Sequence, residues 1–133
     1  MIQAIEQIKI DEGFRGQPYK DTVGKITIGY GRNLDDNPLT KDEAEYLLKN
    51  DLEKASKEAV KLPYYSELHP SRRAIILNMI YNLGLTRFMK FKKMHKAISM
   101  KNYELAAAEM LDSKWAGQVG ERAIRLANIM RAG

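Results

Sequence analysis

The stretch DEGFRGQPYKDTVGKITIGYG (residues 11–31) carries Glu12, Asp21 and Thr27 on a backbone punctuated by five glycines. A carboxyl group that protonates a leaving oxygen, a second that handles water or an oxocarbenium ion, and a hydroxyl that helps hold the water are the parts glycoside hydrolysis needs. Spacing alone is weak evidence for it. Among 17 acidic residues some Glu–Asp pair falls nine apart by chance, so the residues by themselves leave solvated surface carboxylates as the alternative.

The elements that must position these groups are legible in outline. Ile2, Ile5 and Ile8 recur at helical spacing, which predicts a first helix over 2–12 ending near Gly13, with Glu12 at its end. Pro18 and the glycines then break the helical pattern, and TVGK reads as a hairpin turn that Asp21 begins. KITIGYG alternates, with Ile26, Ile28 and Tyr30 on one face and Thr27, Gly29 and Gly31 on the other. The face of Thr27 is therefore expected to be clear of bulk and open to a ligand. TKDE at 40–43 is a capping box that opens a helix running toward Pro63. SRRAIILNMIYNLG is apolar on nearly every side after its arginines, the pattern of a buried central helix stopped at Gly84. Helical segments follow near 87–99, 102–113 and 120–131, which gives an α+β chain with a small β-containing lobe inserted early.

The 133 residues suffice for one domain with a core of its own, and with no cysteine that core uses no disulfide. Glu6, Lys9, Asp11 and Glu12 stand where a signal peptide needs an apolar centre, and no run approaches the length of a membrane span. The expectation is synthesis in a bacterial or host cytoplasm, with no stable membrane insertion. The net charge of +5 is lopsided: residues 1–83 hold 12 Lys/Arg against 13 Asp/Glu, whereas residues 84–133 hold 10 against 4. Such an excess reads either as a solvated helical face or as attraction to a polyanion.

The motifs DEGFRGQPYKDTVGKITIGYG, LTKDEAEYLL, RRAIILNMIYNLG and DSKWAGQVGERAIRLANIMRAG, in this order and over nearly the whole chain, resemble the phage lysozymes of the T-even type, glycoside hydrolase family 24. The resemblance implies a mainly helical, lysozyme-like α+β domain over 1–133. Its small β-hairpin lobe would cover about 13–60, its helical lobe 1–12 and 61–133, with an active-site cleft between lobes. It implies an inverting muramidase that cuts the β-1,4 bond between N-acetylmuramic acid and N-acetylglucosamine of peptidoglycan, for cell lysis. Glu12 would be the general acid, and Asp21 and Thr27 would position or activate water. Family sugar contacts fall on Tyr81, Asn33, Met94 and Glu109, and Arg122 matches an arginine that faces the catalytic glutamate. The implied protein is a monomer that uses no cofactor and reaches the wall by holin-dependent release. The segment between GYG and TKDEAE is shorter than in the T-even enzyme, and Arg32 replaces a histidine common after the strand. Both departures bear on subsite contacts rather than on the core chemistry.

Plainer readings apply elsewhere. Trp115 and the methionines at 79, 94, 100 and 110 read as core, and His69 and His95 lack companions at metal-ligand spacing, so no metal is expected. A basic nucleic-acid-binding module is disfavoured, because the buried helix leaves no free face for a groove. A lytic transglycosylase can run on a single glutamate, so the presence of Asp21 and Thr27 favours hydrolysis.

Overall fold

The computed structural model describes residues 1–133, which divide into two compact units, Met1–Leu47 and Leu48–Gly133.

The first unit opens with helix α1 (Ile2–Glu12), which ends where the glycine rule places it: Gly13 takes φ 70° and its N–H bonds the Lys9 carbonyl at 3.0 Å. None of the α1 side chains is buried. Three strands follow, β1 (Arg15–Lys20), β2 (Ile26–Gly29) and β3 (Arg32–Asn33), in one antiparallel sheet of order β1-β2-β3. Tyr19 pairs with Thr27 across β1–β2, and Thr27 pairs with Asn33 across β2–β3, so Thr27 sits in the middle of the sheet. β1 has no alternating pattern to announce it and contains Gly16 and Pro18. It is tolerated as an edge strand, and its register slips between Arg15 and Tyr19, around the proline that cannot donate to the ladder. Arg32 ties β3 to the next helix. Its guanidinium meets Glu43 in a two-point fork (2.6 and 2.8 Å) and also bonds the carbonyls of Asn37 and Pro38, both at 2.8 Å. Glu43 completes the capping box of α2 (Lys41–Ala59): its Oε1 accepts from Thr40 N–H at 2.8 Å, and Thr40 Oγ1 accepts from Glu43 N–H at 3.2 Å.

The second unit holds the apolar core, which begins at Ala55 and Ala59 on the last turns of α2. A short 3-10 helix (Tyr65–Glu67) leads to α3 (Pro70–Leu83), the buried helix, with Ile75, Ile76, Met79, Ile80 and Leu83 inside and Gly84 ending it at φ 79°. Around it lie α4 (Leu85–Met89), α5 (Lys92–Ser99), α6 (Tyr103–Leu111), α7 (Lys114–Val119) and α8 (Glu121–Ala132); α6 packs on α5 and α8.

Three expectations need correction here. The segment expected as one helix near 87–99 is two, broken at Lys90–Phe91, and α7 fills the gap left between the helical segments expected near 102–113 and 120–131. Ser113 caps α7 by accepting from Ala116 N–H at 3.1 Å, which frees Trp115 to enter the core, where it is 3% exposed. Met79, Met94 and Met110 are buried as expected, but Met100 is 69% exposed: α5 has ended there, and Lys101 turns the chain at φ 59°.

Candidate active site

Thr27 is the one buried residue of the first unit, at 3% exposure. This overturns the expectation of free space above it. Of the two glycines on its face, Gly29 has nothing within 4 Å of where a Cβ would stand, whereas Gly31 is covered by a neighbouring group. At Gly31 that group is Glu12: a Cβ placed on Gly31 would lie 2.5 Å from Glu12 Oε2 and 2.6 Å from its carboxyl carbon. Gly31 also has φ +70°, so two separate constraints demand glycine there. The end of α1 thereby delivers its carboxyl group onto the turn between β2 and β3.

Asp21 is held by the hairpin turn it starts. Its Oδ1 accepts from the N–H groups of Val23 (3.0 Å) and Lys25 (2.9 Å), and its own N–H donates to the Lys25 carbonyl at 2.9 Å. Oδ2 takes no bond from the protein. Thr27 Oγ1 donates to the same Lys25 carbonyl at 3.1 Å. The hydroxyl proton is thus committed to the backbone, and the lone pairs of Oγ1 are left as acceptors. The two peptide groups of Lys25 fasten Asp21 and Thr27 to each other. That role was not read from the sequence, although an Asp opening a glycine-containing turn is a known local signal.

The remaining sequence-derived candidates fall in different settings. Asn33, opposite Thr27 on β3, spends its amide on Asp36: Nδ2 donates to Oδ2 at 3.0 Å and Oδ1 accepts from the Asp36 N–H at 3.1 Å. In the second unit Tyr81 is 48% exposed on α3. Arg122, on α8, donates twice to Asn78 Oδ1 (3.1 and 2.7 Å) and so is anchored to the helix that carries Tyr81. Asn82, one turn beyond Asn78, accepts from Trp115 Nε1 at 2.7 Å. Met94, 1% exposed, and Glu109 line a common depression. No group of three or more acidic or histidine side chains is arranged to hold a metal ion, and no helix is long and apolar enough to cross a membrane.

A small antiparallel sheet with a mainly helical remainder makes this an α+β protein of lysozyme-like fold. The chain belongs to the phage lysozyme family, whose model matches residues 9–130. It is similar to two proteins of Dictyostelium discoideum described as probable T4-type lysozymes 1 and 2. They are 29% and 27% identical, over 100% and 96% of this chain and 96% and 93% of theirs. The endolysin of Salmonella phage P22 is 30% identical over 86% of this chain and 82% of its own. The protein is accordingly a lysozyme, a glycoside hydrolase of the muramidase type that acts on peptidoglycan.

Proposed function

We propose that the enzyme hydrolyses the β-1,4 bond between N-acetylmuramic acid and N-acetylglucosamine with inversion, using Glu12 as general acid and Asp21 with Thr27 to hold the attacking water. The observation that carries this is the pairing of Asp21 and Thr27 through Lys25, which leaves Asp21 Oδ2 and the Thr27 lone pairs as two acceptors. A water has two protons to donate. Given to those acceptors, they leave an oxygen lone pair directed away from both, toward the anomeric carbon of a bound sugar. As the glycosidic bond lengthens, the leaving oxygen takes the Glu12 proton and positive charge grows on the ring. Asp21 stabilises that charge and receives the water's proton as the new C–O bond forms on the opposite face.

Tyr81, Asn33, Met94, Glu109 and Arg122 are assigned to the sugar subsites. Among them Tyr81, 48% exposed, is the one ring on which a pyranose could stack, while Met94 is 1% exposed. Residues 1–133 act as a single catalytic domain, as a monomer, and the enzyme reaches the wall for lysis after holin-dependent release.

Mass spectrometry of peptidoglycan digested by the protein tests the reaction. Hydrolysis gives muropeptides with reducing ends. Anhydro-sugar products would replace this reading by a transglycosylase, in which water takes no part.

A further inference from the structure

Asp21 and Thr27 meet at the Lys25 carbonyl, and the peptide group that carries this oxygen has a second end. Its N–H is that of Ile26, the first residue of β2, and it donates to Asp35 Oδ2 at 2.8 Å. The peptide is trans, so its C=O and N–H point in opposite directions. At its oxygen it accepts from Asp21 N–H (2.9 Å) and Thr27 Oγ1 (3.1 Å), and at its nitrogen it is gripped by a carboxylate from the segment after β3. Regular pairing would not put that carboxylate there. The β2–β3 register, Thr27 with Asn33 and Ile28 with Arg32, sets Ile26 opposite Leu34. Leu34 N–H does donate to the Ile26 carbonyl at 2.7 Å, and a regular antiparallel pair would return the bond from Ile26 N–H to the Leu34 carbonyl. Here β3 ends at Asn33, and the Asp35 side chain takes the returning bond. The neighbours of Asp35 are committed elsewhere. Asp36 is tied to Asn33 through its N–H (3.1 Å) and Oδ2 (3.0 Å) and to Lys25 Nζ through Oδ1 (3.3 Å), while Asn37 N–H donates to the Asn33 carbonyl at 2.8 Å. Asp35 itself makes no salt bridge, and the Ile26 N–H is its one side-chain hydrogen bond.

We infer that Asp35 is a positioning residue for the hydrolysis, fixing the tilt of the peptide whose carbonyl keeps the Thr27 proton away from the attacking water, an inference that rests on the assignment of that water to Asp21 and Thr27. A threonine hydroxyl can donate or accept. With its proton on the Lys25 carbonyl, Thr27 can only accept from the water. If the peptide tilts and the carbonyl moves away, the hydroxyl is free to donate to the water oxygen. It then occupies the lone pair that attack on the anomeric carbon requires. Asp21 depends less on this peptide, because its Oδ1 is held separately by the N–H groups of Val23 and Lys25. The grip must also survive at an exposed position, where water competes for the Ile26 N–H. A charged acceptor suits that task, since a carboxylate holds a main-chain N–H more strongly than a neutral oxygen does. Asp35 touches neither water nor sugar in this arrangement, so its loss should be read in kcat rather than in KM.

Steady-state rates on a soluble peptidoglycan oligosaccharide, taken well below the melting temperature, provide the test together with proton–nitrogen NMR of the full chain. Asp35→Ala should lower kcat about fivefold and leave KM within about twofold, a coupling inside the range found for residues that share a partner. The Ile26 amide proton should move upfield in the same variant. Asp35→Asn, which keeps an oxygen for that N–H, should restore kcat to within about twofold of the wild type and return the amide resonance. In a Thr27→Val background there is no hydroxyl proton to hold, and Asp35→Ala should then cost less than about twofold. A strand-end cap that serves stability alone would lower the melting temperature and leave kcat unchanged, and that result would overturn the inference. An equal loss in both backgrounds would do the same, since the effect would not pass through Thr27, as would a loss carried by KM. Thr27→Val alone tells the two levels apart. At the wild-type rate it would remove the water assignment and this role with it; impaired beside an unimpaired Asp35→Ala, it would remove this role only.

Discussion

The carboxyl group of Glu12 rests directly on the α-carbon of Gly31, where a methyl group would approach its Oε2 to 2.5 Å. The last residue of a helix and a turn glycine nineteen positions later thus fix one another. Gly31→Ala should displace the Glu12 side chain and strain a backbone held at φ +70°, the latter at about 1–2 kcal/mol. In the role of general acid proposed for Glu12, its displacement costs more in rate than the strain costs in stability, on the order of 10²-fold for about 1 Å. The expected outcome is a variant with a modestly lowered melting temperature and clearing activity reduced by at least tenfold. Wild-type activity in Gly31→Ala would mean that Glu12 needs no such placement.

Glu12→Gln keeps the shape of the side chain and removes the transferable proton. Turbidity clearing of permeabilised cells should fall by roughly 10²–10⁴-fold, with circular dichroism unchanged. A loss of only a few-fold would remove Glu12 from the role of general acid.

Thr27 and Asp21 make a stereochemical claim. Under the inversion proposed above, time-resolved proton NMR on a defined oligosaccharide should show the α-anomer of the product first. A β-anomer appearing first would mean retention. Thr27→Glu should place a carboxylate where the water sits, and either trap a covalent glycosyl adduct or stop turnover. Thr27→Val, which keeps the buried volume and removes the hydroxyl acceptor, should lose rate with little loss of fold.

His95 is a pH-dependent element of the core. It accepts from Tyr64 Oη at Nδ1 (2.7 Å) and donates from Nε2 to the Phe88 carbonyl (2.9 Å), so the neutral ring is the one the site fits. Burial pushes its pKa below the ordinary 6.5, against a smaller upward pull from the Phe88 carbonyl. The unfolded chain therefore takes up a proton at higher pH than the folded one. The stabilisation is present above about 6.5 and is lost as the pH falls below it toward the folded value. Melting temperatures should decline from pH 7 to pH 5, and His95→Gln, which cannot titrate, should flatten that decline.

Glu43 gives a second, more acidic limb. The Arg32 fork, together with the Thr40 cap, pushes its pKa from 4.5 down to about 2, so its contribution is lost as the pH drops through that range. The pair is partly exposed, with 40% of the Glu43 side chain accessible, so the effect should be screened by salt. Glu43→Gln should shift the acid unfolding of the first unit, read by hydrogen exchange, to higher pH and make it less dependent on salt.

How much of this was legible depended on how local the determinant was. The buried α3, the glycine stop of α1 and the capping box of α2 are written in contiguous residues and formed where the pattern placed them. β1 was not legible as a strand. Gly16 and Pro18 argue against one, and it exists because β2 pairs with it. The break at Lys90–Phe91 is hidden by an amphipathic pattern that runs on unchanged across it, and α7 by a cap whose polar residues look like a loop. Glu12, Asp21 and Thr27 were named as the candidate site from their residue types. The burial of Thr27 was not legible, since alternation tells which face a side chain takes and nothing of what then covers it.

The two peptide groups of Lys25 do the joining in this site, and its ammonium group reaches only an exposed partner, Asp36 Oδ1, at 3.3 Å. A fastening made of backbone is blind to the identity of the side chain attached to it. Many amino acids at position 25 would preserve the link, provided the turn keeps its shape and the residue keeps its N–H, a condition that proline alone fails. Mutational scanning there would show near-complete tolerance beside an intolerant Asp21 and an intolerant Thr27. The position would look dispensable while its main chain holds the two together.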